Sequence, residues 1–173
     1  MNYKEKLHII KNFVFDIDGV LTNGLIMIDS SGNESRTFNT KDGIAIKHAI
    51  ENGYNIAIIS GANNEGIRLR LKNLGVINIL LGSNNKLKDL KKYIKSNKLS
   101  SEETVYMGDD MPDINPMSYV GLKTCPFDAI PEVRSISDYV SPKKGGEGCV
   151  RDIIEQTLKV QNNWKLKDSS QNI

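Results

Sequence analysis

Short apolar runs alternate with helical patterns along almost the whole chain, and this alternation limits the fold more than any other feature of the sequence. Strand-like runs lie near Phe13–Ile17, Asn55–Ser60, Asn78–Leu81, Thr104–Gly108 and Val120–Leu122, with a weaker one near Asp138–Val140. Between them Gly43–Asn52, Asn64–Leu74, Lys86–Asn97 and Pro112–Met117 carry helical spacing, and Gly148–Val160 reads as the last helix. Such alternation predicts an α/β fold, a doubly wound and mostly parallel sheet covered on both faces. One segment breaks the order. Leu25–Ile28, a glycine-bearing turn at Ser30–Asn33, and Glu34–Asn39 read as a β-hairpin over residues 24–40, inserted directly after the first strand. Neighbouring side chains on a strand point opposite ways. The unbroken apolar run Leu25–Ile28 therefore cannot all face one core, and one side of the hairpin is expected to meet another subunit.

The 173 residues suffice for one well-buried domain. That domain is expected over residues 1–160, followed by a polar tail, 161–173, that carries Trp164 and reads as partly disordered. Lys and Arg number 23 against 21 Asp and Glu, too even a balance for a nucleic-acid or anionic-membrane partner. Neither a long apolar run nor the apolar core of a signal peptide occurs, so a cytoplasmic address is expected. Cys125 and Cys149 lack metal or disulfide spacing, and His8 and His48 are isolated; all four read as ordinary packing or surface residues.

The chemistry concentrates in two acidic clusters. In Phe15-Asp16-Ile17-Asp18-Gly19 two carboxylates spaced by one residue follow the first strand, and residues two apart share a face. Converging carboxylates are unfavourable unless a cation relieves them, which points to a divalent metal. Gly108-Asp109-Asp110-Met111-Pro112-Asp113 follows the fourth strand, and open parallel sheets gather such strand ends along one edge. Either cluster alone is adequately explained as turn-forming sequence.

Asp16-Ile17-Asp18-Gly19, the strand-ending Ser60-Gly61, Lys86 at the head of a helix, and Gly108–Asp113 occur in an order and spacing that resembles the four motifs of the haloacid dehalogenase-like phosphatases. The similarity spans roughly Asn12 to Leu158. It implies a Mg²⁺-dependent phosphatase in which Asp16 attacks phosphorus to give an aspartyl-phosphate and Asp18 serves as general acid and then base. Asp16, Asp109 and the backbone carbonyl of Asp18 would ligate the metal, with Asp110 and Asp113 as outer groups orienting metal-bound water or Lys86. Ser60 and Lys86 would bind phosphoryl oxygens.

No cap domain fits. The interval from Thr22 to Asp42 holds only the hairpin, and Gly61 to Lys86 is consumed by a helix and a strand. In this the chain is similar to the capless subfamily of 3-deoxy-D-manno-octulosonate 8-phosphate and nonulosonate 9-phosphate phosphatases, homotetramers of surface-sugar biosynthesis whose hairpins pack together. The likeness is local at Gly24-Leu25-Ile26, at Phe38–Gly43 and at Gly145–Asp152. It implies that Asn39, Thr40, Asp42, Gly43, Gly61 and Arg70 contact a phosphorylated 2-keto-3-deoxy sugar acid, the arginine gripping its carboxylate. Two positions depart. Ala62 stands where the octulosonate enzymes have arginine and the nonulosonate enzymes glutamate, and Lys41 stands where the former carry arginine.

Two other readings share these features. A receiver domain also joins a phosphorylated aspartate to a Ser/Thr, a Lys and an acidic pair, but there the acidic pair follows the first strand rather than the fourth. A non-catalytic assembly module beside a sugar-activating cytidylyltransferase would keep the fold and lose turnover, which four intact motifs argue against.

Overall fold

The computed structural model describes residues 2–165. Eight strands and seven α-helices follow in the order α1 (Tyr3–Lys6), β1 (Asn12–Phe15), β2 (Met27–Ile28), β3 (Glu34–Ser35), α2 (Thr40–Glu51), β4 (Asn55–Ile59), α3 (Glu65–Asn73), β5 (Asn78–Leu80), α4 (Lys86–Ser96), β6 (Thr104–Met107), α5 (Ile114–Met117), β7 (Leu122–Cys125), α6 (Pro131–Ile136), β8 (Tyr139–Val140) and α7 (Cys149–Val160). Six strands form one parallel sheet in the order β5-β4-β1-β6-β7-β8, so the doubly wound architecture read from the sequence is the one observed.

The sheet sorts its side chains by parity. Phe13 and Phe15 of β1, Ile56 and Ile58 of β4, and Val105 and Met107 of β6 pack with α2, α3 and α7 on one face. Val14, Ala57, Ile59 and Tyr106 point to the other, against α4, α5 and α6. Both faces are buried, so the central strands lack polar alternation, as parallel sheets require.

Helix boundaries follow the asparagines. Asn39, Asn64 and Asn85 each accept a first-turn N–H with the side chain, starting α2, α3 and α4. Three assignments need correction. The first strand ends at Phe15, because Ile17 already opens a turn. The seventh strand is Leu122–Cys125 rather than Val120–Leu122: the Gly121 N–H donates to Ser101 O outside the ladder, while Thr124 is buried and its hydroxyl donates to Tyr106 O. Pro112–Met117 is a 3₁₀ turn, Met111–Asp113, leading into α5. The short helices α1 and α6 carry too little periodicity to be read from sequence.

The hairpin is confirmed after β1 and is short, with Met27 opposite Ser35 and Ile28 opposite Glu34. Its tip is closed by Asp29, whose carboxylate accepts from the Ser31 and Asn33 N–H groups. Leu25, Met27 and Ile28 are 72%, 74% and 65% exposed. Of the tail 161–173, residues 166–173 lie outside those described. Its beginning packs down: the Trp164 ring meets the edge of His48 at 4.9 Å and lies under the Arg151 guanidinium at 5.5 Å. Cys125 and Cys149 are buried free thiols. Among the described residues no helix is long and apolar enough to cross a membrane.

Candidate active site

Three strands end together. Phe15 lies opposite Ile58 of β4 and Met107 of β6, so Asp16, Ser60 and Asp109 emerge side by side on the carboxyl edge of the sheet. Strand order reverses here, the position at which open α/β sheets bind ligands. A cleft of about 490 Å³ opens there, lined by Asp16, Asp18, Ser60, Gly61, Ala62 and Lys86, with Ser83, Asn84, Asn85 and Asn115 on its rim.

The loop after β1 is a tight turn. Asp18 (φ −69°, ψ 122°) and Gly19 (φ 82°, ψ −5°) have the dihedrals of the central pair of a type II turn, whose second member needs positive φ. Any Cβ at Gly19 would also overlap the Asp109 carboxylate. Glycine is therefore what lets the turn and the second acidic loop touch.

Lys86 sits at the first position of α4, where the helix dipole disfavours a cation, and carboxylates hold it there. Its Nζ is 2.8 Å from Asp16 Oδ2 and 2.8 Å from Asp113 Oδ1. Burial works against the charge on Lys86, but the two carboxylates outweigh it and its pKa is raised. Asp113 Oδ1 also accepts from the buried Tyr106 hydroxyl at 2.8 Å, and Oδ2 accepts from the N–H groups of Asp109 (3.1 Å) and Asp110 (3.4 Å).

Oxygens of Asp16, Asp109 and Asp113 lie within 4.8 Å of one another, a group able to hold a metal. Within it the three differ. The oxygens of Asp113 are taken by N–H and O–H donors, which a cation would orphan. Asp16 Oδ1 and Asp109 Oδ1 are buried without any hydrogen-bond partner. Bare, buried carboxylate oxygens suit a hard divalent cation, which accepts one or two carboxylates and completes its shell with water and phosphate oxygens. Burial, reinforced by Asp113 and partly offset by Lys86, raises Asp16 to about 6. Burial, with Asp16 and Asp113 adding to it, raises Asp109 to about 8. The residues fit Mg²⁺.

The remaining candidates divide. Ser60 is buried at the cleft floor, and its Oγ accepts from the Ala62 N–H at 3.3 Å, which leaves the O–H for a ligand. Gly61 lines the cleft. Asp110 is exposed and caps the 3₁₀ turn, accepting from the Met111 N–H at 2.7 Å, so the structure brings Asp113 and not Asp110 to Lys86. Thr40 is exposed at the start of α2. Asn39 caps α2 and donates to Gly146 O at 3.1 Å. Asp42 is turned away from the cleft: it is buried, and its Oδ1 accepts from the Arg151 N–H at 2.7 Å. The physical reason is that the N-cap of α7 is Gly148, which offers no capping side chain, and Asp42 supplies the acceptor from another helix. Arg70 lines a separate cavity of about 430 Å³ between the hairpin and α3, and its guanidinium covers Gly43.

Sequence reasoning missed Arg36. Its Nε donates to Asp18 Oδ1 at 2.6 Å and its Nη2 to Asp18 Oδ2 at 3.1 Å. Strand alternation is the signal that could have found it, since an extended run through Glu34–Asn39 puts Arg36 in phase with Phe38, which packs on the core.

An α/β sheet that gathers two bare carboxylates and a buried lysine at its carboxyl edge, beside an open cleft, defines a metal-assisted phosphoryl-transfer hydrolase. A model of the haloacid dehalogenase-like hydrolase family matches residues 75–153. The 3-deoxy-D-manno-octulosonate 8-phosphate phosphatase KdsC of Salmonella typhi is 34% identical over 152 residues, 88% of this chain and 81% of that protein. Its namesake from Haemophilus influenzae is 30% identical over 97% of this chain and 93% of its own. A crystal structure of the phosphatase of that name from Moraxella catarrhalis, solved with magnesium, phosphate and KDO, superposes with a TM-score of 0.90 at 34% identity, covering 93% of this chain and 92% of the other. The chain belongs to the haloacid dehalogenase-like hydrolases, in the capless branch that includes the KdsC phosphatases, and it is a phosphatase with Mg²⁺ as cofactor.

The raised carboxyls give a stability prediction with a definite sign. In the folded, metal-free protein Asp109 keeps its proton up to about 8 and Asp16 up to about 6, against 3.8 for an ordinary aspartate. The folded state therefore binds more protons, and the stability these groups contribute is present near pH 4 and lost as pH rises to about 8. Thermal melts of chelator-treated protein are expected to fall between pH 5 and 8. Saturating Mg²⁺, about 2.7 kcal/mol at a hundredfold excess over Kd, is expected to restore more at pH 8 than at pH 5. Equal shifts at both pH values would contradict this electrostatic account.

Proposed function

We propose that the chain hydrolyses a phosphorylated 2-keto-3-deoxy sugar acid, octulosonate 8-phosphate or a nonulosonate 9-phosphate, through an aspartyl-phosphate on Asp16. One observation carries the reading: Asp16 and Asp109 each keep a buried, unpartnered Oδ1, carboxylate oxygens of the two lie within 4.8 Å of each other, and Lys86 is 2.8 Å from the second oxygen of Asp16.

Asp16 and Asp109, with the carbonyl of Asp18, would hold the metal, which when bound would neutralise phosphoryl charge. The Ser60 hydroxyl and the Lys86 ammonium orient the phosphoryl oxygens. A carboxylate oxygen of Asp16 forms a bond to phosphorus as the ester P–O bond breaks, and Asp18 gives the departing alkoxide its proton. A water then attacks the same phosphorus, its proton passes to Asp18, and the Asp16–phosphorus bond breaks to release phosphate. Tyr106 and Asp113 act through Lys86 by fixing its position.

The neutral amides of Asn84, Asn85 and Asn115 on the rim suit a polyhydroxy substrate rather than a polyanionic one. Residues 1–160 would act as one unit, assembled as a homotetramer in which the exposed Leu25, Met27 and Ile28 are covered by neighbouring hairpins and substrate contacts at Asn39, Thr40, Gly43 and Arg70 are completed, while Asp42 stays with α7. A substrate panel tests the assignment. kcat/KM for octulosonate 8-phosphate or a nonulosonate 9-phosphate is expected to exceed that for hexose phosphates by tenfold or more, about 1.4 kcal/mol. The reverse order would reject the sugar-acid assignment.

A further inference from the structure

The two-pronged contact between Arg36 and Asp18 joins the hairpin to the catalytic turn, and it is stronger than a chance surface pair. The Arg36 side chain is 4% exposed and Asp18 is 30% exposed, so the cation is buried beneath the anion and the anion opens to the cleft. Glu34 Oε2 lies 3.0 Å from Arg36 Nη1, near enough to balance charge though off the hydrogen-bond direction. The arm itself is anchored, since Asn64 Nδ2 donates to Glu34 O at 3.3 Å and ties it to the head of α3. A buried guanidinium is costly unless it is paired and hydrogen-bonded, and this one directs both of its bonded prongs at one carboxylate.

We propose that Arg36 is a positioning residue for Asp18: by gripping both oxygens it fixes the carboxyl group at the cleft mouth, where the leaving group must depart. The inference rests on the proton-transfer role given to Asp18 above. Each oxygen of Asp18 spends one lone pair on Arg36 and keeps another to carry the proton it gives to the departing alkoxide and takes back from water, so the grip orients the group without occupying it. Without Arg36, nothing else described fixes the carboxylate of Asp18, which would turn freely about its side-chain bonds and meet the ester oxygen only part of the time. The hairpin then has a second task besides packing, as the support of the proton donor. Lysine cannot substitute fully, because a single ammonium holds one oxygen where the planar fork holds two.

The test is leaving-group dependence. p-Nitrophenolate departs without a proton, whereas the alkoxide of a sugar phosphate needs one. For Arg36→Ala, kcat/KM is expected to fall by about 30-fold or more on octulosonate 8-phosphate and by at least tenfold less on p-nitrophenyl phosphate, within the usual range for general acid catalysis. Arg36→Lys, which keeps the stem and the charge if the alanine variant does not fold, should show the same skew at smaller size. Asp18→Asn should show a larger skew, and adding Arg36→Ala to it should cost little more. An equal loss on both substrates in the Arg36 variants, with the skew intact in Asp18→Asn, would reduce Arg36 to a structural residue. Absence of a skew in Asp18→Asn would instead remove Asp18 from proton transfer and with it the proposed mechanism.

Discussion

Asp16→Asn is expected to lower turnover by about 10⁴-fold or more, some 5.5 kcal/mol of transition-state stabilisation. The amide is nearly isosteric, so the fold should persist. It is a poor nucleophile, and it removes one of the two bare anionic oxygens in the metal group. Burial already raises the pKa of Asp16, and losing its charge should if anything relieve the metal-free protein. The check is steady-state hydrolysis with Mg²⁺ present, joined to acid quenching and mass measurement of the protein. Wild type should trap a phosphorylated species and Asp16→Asn none. Full activity in the variant would take Asp16 out of the reaction and leave the site without a nucleophile.

Lys86→Met is expected to damage stability and activity together. The methionine keeps much of the stem, while the charge that serves both Asp16 Oδ2 and Asp113 Oδ1 disappears. Breaking a buried ion pair on one side typically costs about 3–5 kcal/mol, because the surviving charges are left uncompensated. For a chain of this size that corresponds to a fall in Tm of roughly 10 °C in the metal-free state. Turnover should drop by about 10²–10³-fold through lost stabilisation of phosphoryl charge. Mg²⁺ cannot replace the contact at Asp113, whose oxygens are already held by Tyr106 and two backbone N–H groups, so the melting deficit should persist in saturating metal. A variant that melts like wild type would show that the three charges do not act as a unit.

The parts of the site visible in the sequence are those carried by local order. Asp16 and Asp18 follow an apolar run, Gly19 follows them, and the second cluster repeats the arrangement after β6, so strand ends and turn chemistry alone place them. What stayed hidden depends on partners brought together by folding. Arg36 is 18 residues from Asp18 and reaches it only because the hairpin folds back. Asp42 is 109 residues from its partner at Arg151, and nothing around position 42 signals that a distant helix begins at a residue without a capping side chain. The shifted limits of β7 have a similar cause. Lys123 and Thr124 interrupt the apolar pattern, yet Thr124 is buried because its hydroxyl has an acceptor across the sheet. The difference between Asp113 and Asp110 likewise follows from hydrogen bonding rather than spacing, since both occupy the same short acidic run.

The cap that Asp42 lends to α7 has a mechanical consequence. Helix ends normally fray one at a time, each with its own small opening free energy. Here the first turns of α2 and α7 share one carboxylate, while Gly146 just before α7 donates to Val20 O and Cys149 Sγ contacts the same oxygen. Loosening the start of α7 is therefore expected to slacken the turn after β1 that carries Asp16 and Asp18, and unzipping that helix should lower turnover well before the sheet itself comes apart.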